Sequence, residues 1–396
     1  MRRLPLAFVL APLLAAQAPL EFPQGGRIVF LGDSITHQGQ YVEALENLLL
    51  CAFPQLEAKF FNAGIGGDRV EHALARLEAE VVANKPQLVT VLLGMNDAGY
   101  KPRDANTLAT FEQGLDTIVS RVAKETQATV CVFGPTFFDA KARKDGKLGD
   151  YNDVLLTFEQ AAQRVAQAHK AKFFAPNAPM QRITAALRVQ DPQATLSPDS
   201  VHPDIAGGFA IASAFAAEYW REAPPVEIQI TPSADGGNLH RVEVPRIPVP
   251  IHPQARKVAD VERFDARYNR FKLRGIAVGS GKVRLIADGK DLGVFLAIEL
   301  AAGIDALPIA GAPWNERAAR FLRLAGERRQ LIWHRIRDKV SECKRIQAPA
   351  SRAEAYAKVH AQLAAEWEKI RQLEAQMREL TRPFVTMIEV RQEPGQ

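Results

Sequence analysis

Residues Arg27–Cys51 read RIVFLGDSITHQGQYVEALENLLLC, and the hydrophobic period changes partway along. Ile28–Leu31 is a continuous apolar run of the kind that makes a buried parallel strand, whereas Tyr41–Cys51 spaces its apolar residues as a helix does. Between them stand Gly32, Asp33 and Ser34. Ser and Asp cap helices and Gly permits turns, so the triplet can be purely structural. Alternatively, Ser34 is a nucleophile held at the carboxyl end of a strand, where α/β folds place their chemistry.

Outward from this stretch the same alternation recurs to about Glu222. It predicts further strands at Ala58–Asn62, Leu88–Leu93, Thr129–Phe133 and Lys172–Ala175. Helices are expected around Tyr41–Cys51, Val70–Ala83, Asn106–Glu125, Tyr151–His169 and Ile205–Arg221. Repeated βαβ units imply a parallel sheet covered by helices, here over residues 25–222. The connections Gly32–Gly39, Ala63–Arg69, Gly94–Lys101 and Gly134–Lys147 then gather at one edge of that sheet.

Pro224-Pro225 ends the last of these helices. A β-rich accessory region is expected over 225–312, with runs near Val226–Ile230, Leu239–Val244, Phe271–Gly275, Val283–Ala287 and Gly293–Leu296. GSGK and ADGKD look like hairpin turns. VGSGKV is not a phosphate-binding loop, because Ile276 and Val283 stand where such a loop needs Gly and Ser or Thr. Over 313–396 two long amphipathic helices, about Trp314–Glu342 and Ser351–Leu380, are broken by QAPAS and followed by an apolar alternation, Phe384–Val390, that can form a strand. In the second helix Tyr356, Val359, Leu363, Ile370, Leu373, Met377 and Leu380 form a packing seam. The pair is expected to make an antiparallel hairpin packed on itself, with dimer contact or substrate access as its alternative uses.

With 396 residues, of which 47% are hydrophobic, the chain can bury a large core and is neither fibrous nor disordered. MRRLPLAFVLAPLLAAQA, residues 1–18, reads as a signal peptide, so the mature protein is expected to be exported, periplasmic or extracellular, and soluble. Cys51, Cys131 and Cys343 are odd in number and widely spaced, which argues against a disulfide framework and against a metal site. The net charge of +5 comes from a basic excess in the C-terminal part. Those charges alternate in sign along helices, as solvated faces do, and no nucleic-acid partner is expected. Weak contact with a membrane surface is the alternative use of that basic part.

Four strand-end or helix-entry segments carry what ester hydrolysis needs. GDS presents Ser34. In NAGIGGD, Gly66-Gly67 lets a backbone N–H approach a ligand closely. GMND presents the amide of Asn96, and SPDSVHPDIAG places Asp199 and His202 three apart.

FLGDSIT, FNAGIGGDR, LLGMND and DSVHPD together resemble the four ordered blocks of the SGNH hydrolases, also called GDSL esterases and lipases, across roughly residues 26–222. The resemblance implies a three-layer α/β/α sandwich of flavodoxin-like type with an open site. It makes Ser34 the nucleophile and gives Asp199 and His202 the acid and base of a triad. The oxyanion hole falls to Ser34, Gly67 and Asn96. No cofactor and no metal are implied. Ser34 lacks the G-x-S-x-G elbow of α/β-hydrolases. Asp33 and Asp97 are expected to brace loops, and His37 and His72 to have surface or capping roles. The expected function is an exported serine esterase of O-acyl esters, acting on a small-molecule or polysaccharide substrate. Short acyl groups such as acetyl on carbohydrate are favoured because no long apolar insertion offers a lipid-binding lid. The alternatives are a lysophospholipase or lipid acylhydrolase and, in another class, a non-catalytic envelope scaffold.

Overall fold

The computed structural model describes Leu20 and residues 23–143, 145, 148–233, 236–276 and 278–394; the expected signal peptide lies outside them. Five parallel strands form the first sheet: β1 (Arg27–Gly32), β2 (Lys59–Gly64), β3 (Leu88–Leu92), β4 (Thr129–Phe133) and β5 (Lys172–Phe174), in the order β2-β1-β3-β4-β5. Val29, Leu31, Val89, Val91 and Val132 are fully buried, as strands covered on both faces require. Gly32 pairs in register with Gly64 on one side and Leu92 on the other, so three strand ends finish level. The chain leaves β1 for β2 on one side and later for β3 on the other, which opens a crevice at their carboxyl ends.

Two sets of helices cover the sheet. Gln40–Ala52 packs on Ile205–Tyr219, which also meets Asn177–Arg188; Ala105–Thr126 packs on Tyr151–Ala168 and Val70–Ala75. This is the expected α/β sandwich, with local departures. The connection after β1 is itself the short helix Ser34–Gln38, and the helix expected over Val70–Ala83 breaks into Val70–Ala75, Leu77–Glu80 and the tight turn Val82–Asn84.

Beyond Glu222 lie two small sheets. β6 (Val226–Ile230), β8 (Phe271–Gly275) and β11 (Ile304–Asp305) form one, in the order β11-β8-β6. β7 (Leu239–Val244), β9 (Lys282–Ala287), β10 (Lys290–Leu296) and β12 (Phe384–Gln392) form the other, in the order β10-β9-β12-β7. Ile228, Val242, Leu273, Leu285, Trp314 and Ile388 are buried together between them. ADGKD closes the β9–β10 hairpin, with Asp288 and Gly289 at positive φ. GSGK does not close a hairpin: it carries the chain from β8 in one sheet to β9 in the other. Between β7 and β8 the chain turns helical at Arg256–Val261 and Phe264–Tyr268, and Val258, Phe264 and Tyr268 join the core of the first sheet.

The last helices also depart from a hairpin packed only on itself. The first runs from Pro313 through a π-helical stretch, Ile332–Arg337, to Glu342; the second is interrupted at Leu363. Both dock on β2 and on the loop that follows it. Ile65 is buried with Ile332, Ile336, Val340, Tyr356 and Ile370, each contributing roughly 1.5–3 kcal/mol by leaving water. Arg328 donates to Phe60 O and Arg378 to Ala58 O, so guanidinium groups cover backbone acceptors along the outer strand.

Candidate active site

Ser34 is the first residue of its helix, two residues beyond β1. Asp33 caps that helix, its Oδ1 accepting from Ile35 N at 2.9 Å. β2 presses against this helix so closely that a Cβ on Gly64 would lie 2.2 Å from His37 N. After β2 the chain turns at Ile65–Asp68, closed by Asp68 N donating to Ile65 O at 3.2 Å, with Gly67 at φ +69° in the third position. A type II turn demands that conformation and glycine supplies it without strain.

His202 Nε2 stands 2.8 Å from Ser34 Oγ, and His202 Nδ1 stands 2.6 Å from Asp199 Oδ2. The other oxygen of Asp199 accepts from the amides of Val201 (3.0 Å) and His202 (2.7 Å). Partial burial pushes the Asp199 carboxyl upward, but these amides and the imidazole prevail and hold it below the usual carboxylate range. Ionised Asp199 selects the tautomer with the proton on Nδ1, which leaves Nε2 free to accept from Ser34. The loop is held by its neighbours. Asp139 takes Arg188 Nη2 at 2.7 Å and Thr195 Oγ1 at 2.6 Å, and its amide donates to Ser200 O at 3.0 Å. Ser200 itself sits at φ +78°, a strained conformation for a residue with a Cβ. The Asp199 side chain is 58% exposed, so this end of the line lies open to solvent.

Asn96 follows β3, and its Nδ2 donates to Asp68 O at 3.1 Å and more weakly to Asp33 Oδ2 at 3.4 Å. The amide is thereby held with its nitrogen toward the loops that carry Ser34 and Gly67. Asp97 accepts from Val70 N (2.9 Å) and Gly94 N (3.0 Å), so both aspartates brace loops as expected. Burial foremost, against the Ile35 amide, pushes Asp33 up to about 7. His72 caps its helix, Nδ1 accepting from Arg69 N.

His37 departs from its expected surface or capping role. It is buried, with Nδ1 taking Gly66 N at 3.0 Å and Nε2 at 2.9 Å from Asp338 Oδ1. Sequence reasoning also missed the buried pair Arg76–Asp68 (2.8 Å), Lys344 beside Gly67, and Tyr100, stacked on Tyr151 with its hydroxyl 3.5 Å from Asn96 Oδ1. Tyr100 follows Asn96 by four residues in GMNDAGY, a nearness that could have flagged it; nothing near His37 points to a partner 301 residues away. Among the described residues no group of His, Cys, Asp or Glu could hold a metal ion, and no helix is long and apolar enough to cross a membrane.

Residues 30–208 match the GDSL-like lipase/acylhydrolase family. An acetylxylan esterase of Geobacillus stearothermophilus is 25% identical over 218 residues, covering 50% of this chain and 96% of that protein. A platelet-activating factor acetylhydrolase IB subunit alpha1 of Homo sapiens is 35% identical over 109 residues, covering 27% of this chain and 42% of that protein. Among solved structures, a gut microbial diltiazem-metabolizing enzyme shares the fold over 96% of this chain and all of its own, with a TM-score of 0.76 at 21% identity.

Proposed function

We propose that this chain, a carboxylic-ester hydrolase with a GDSL-like lipase/acylhydrolase domain over residues 30–208, is an exported serine esterase removing short acyl groups, acetyl above all, from carbohydrate. The observation that carries this reading is the continuous line Ser34 Oγ to His202 Nε2 to Asp199 Oδ2, at 2.8 and 2.6 Å. Ser34 Oγ attacks the ester carbonyl as its proton passes to His202 Nε2, and Asp199 steadies the imidazolium. The carbonyl oxygen becomes negative and is met by the amides of Ser34 and Gly67 and by Asn96 Nδ2. His202 then returns the proton to the departing alcohol, and water repeats the sequence on the acyl-serine.

Acetyl is supported by the names of the relatives, an acetylxylan esterase and an acetylhydrolase. The half-exposed triad supports a bulky alcohol side such as a polysaccharide. Export rests on the arginines and apolar run of residues 1–18. The test is a nitrophenyl ester series from acetyl to palmitoyl, with acetylated xylan beside it. Acetyl should be the best acyl group, and Ser34→Ala should lower turnover on the order of 10⁴-fold or more. A preference for long chains would turn the assignment to a lipid acylhydrolase, and turnover retained by Ser34→Ala would remove the triad.

A further inference from the structure

The turn that carries Gly67 is gripped by residues from the far end of the chain. Arg337 Nε donates to Gly64 O at 3.0 Å. Lys344 Nζ donates to Gly66 O at 3.2 Å and lies 3.0 Å from Asp68 Oδ1. Asp338 acts through His37, whose Nδ1 receives the Gly66 amide. An amide can only donate, so Nδ1 is the bare nitrogen and the ring proton sits on Nε2, facing Asp338. Burial foremost, then Arg337, pushes His37 down to about 4, against the pull of Asp338, so the ring stays neutral and able to accept.

A trans peptide is planar, and its C=O and N–H point in opposite directions. Gly66 O and Gly67 N belong to one peptide. Fixing the first, as Lys344 does, therefore fixes the direction of the second. Holding Gly66 N, as His37 does, fixes the peptide on the other side of the same residue. We propose that Asp338, through His37, and Lys344 are positioning residues for the oxyanion hole, holding the Gly66–Gly67 peptide in the orientation in which the Gly67 amide meets the developing charge. The inference rests on the assignment of Ser34 and Gly67 above. It also gives the molecule two Asp–His dyads: Asp199–His202 takes the proton of the nucleophile, whereas Asp338–His37 takes only a hydrogen bond from the Gly66 amide, whose proton stays on nitrogen.

The test compares the full chain with Asp338→Ala, Lys344→Met, the conservative Asp338→Asn, and Lys339→Ala, whose residue on the same helix pairs only with exposed Glu342. With nitrophenyl acetate, Asp338→Ala and Lys344→Met should each lower kcat by roughly ten- to a hundredfold at little changed KM and melting temperature. Asp338→Asn should recover most of the loss, since its oxygen still accepts from His37 Nε2, and Lys339→Ala should match the wild type. Unchanged kcat in Asp338→Ala and Lys344→Met would overturn the inference, as would a loss that follows melting temperature and is not recovered by Asp338→Asn. Ser34→Ala in the same series separates the two failures: if it is inactive, the esterase assignment stands whatever the helix variants do.

Discussion

The loop from Thr195 to Asp204, which bears Asp199 and His202, is held by near neighbours such as Asp139 and Arg188, whereas the loop from Gly64 to Asp68, which bears Gly67, is held by Arg337, Asp338 and Lys344. Both are one turn of chain beside the same serine. In the first, exposed Asp199 and half-buried His202 sit three residues apart, and Asp199 holds both the imidazole and the amides of its own loop. In the second, Ile65 and Asp68 anchor the ends of the turn, Asp68 on Arg76, but Gly66 and Gly67 between them have no side chain, and the groups that hold Gly66 come from the last helices and from His37. If the proposed assignment holds, the reacting groups and the groups that steady them are separable in sequence, and a substitution near residue 340 is expected to act at residue 67.

The contrast can be broken most severely at Arg337. It is buried with Glu80, Nη1 to Oε2 at 2.6 Å; burial pushes Glu80 up, but Arg337 and His360 prevail and hold it far below the usual carboxylate range. Arg337→Met leaves that carboxylate without its guanidinium partner and should cost on the order of 3–5 kcal/mol in urea unfolding. A loss under 1 kcal/mol would mean the helices merely rest on the loop.

Asn96→Ala sharpens the comparison from a third loop, whose amide reaches Asp68 and Asp33. On the proposed assignment it removes one oxyanion donor, so kcat should fall roughly a hundred- to a thousandfold, about 3–4 kcal/mol, with the melting temperature kept. Near-normal turnover would take Asn96 out of the hole.

The smallest effect is a pH dependence. His37 titrates at about 4 in the folded chain against an ordinary 6.5. Arg76 and Arg337 disfavour its charged form and Asp338 favours it, with burial outweighing each. Below pH 6.5 the unfolded ring binds a proton that the native ring refuses. Its contribution is therefore present in full above 6.5 and lost as the pH falls through 4, about 3 kcal/mol in all. Unfolding free energies from pH 7 to 4 should fall more steeply for wild type than for His37→Gln; equal slopes would show that the ring is not kept neutral.

Much of the first sheet was legible because fully buried parallel strands are apolar runs: Leu88–Leu93 and Thr129–Phe133 could hardly be anything else. Ser34, Asn96, Asp199 and His202, the proposed catalytic residues, stood at strand ends or at a helix entry, segments that a βαβ pattern gathers at one edge of the sheet. Asn177–Arg188 was not anticipated, although Met180, Ile183 and Leu187 follow the helical period; Pro176 and Pro179 stand at its start, where a missing N–H costs no intrahelical hydrogen bond. GSGK misled for a related reason. Turn chemistry reports that the chain bends, not which sheet receives it. His37 and Asp338 were invisible as a pair, since each has ordinary neighbours and only docking of the last helices joins them.

The guanidinium groups that lie along β2 bear on more than catalysis. An outermost strand with bare carbonyls is a template on which a second molecule can build, and Ala58 and Phe60 offer two of them. Here Arg378 and Arg328 occupy those positions with donors that no further strand can extend. A chain cut back to its sheet-and-serine half would keep Ser34, Asp199 and His202 and yet bare those carbonyls, so covering that flank is a second task of the far end of this sequence.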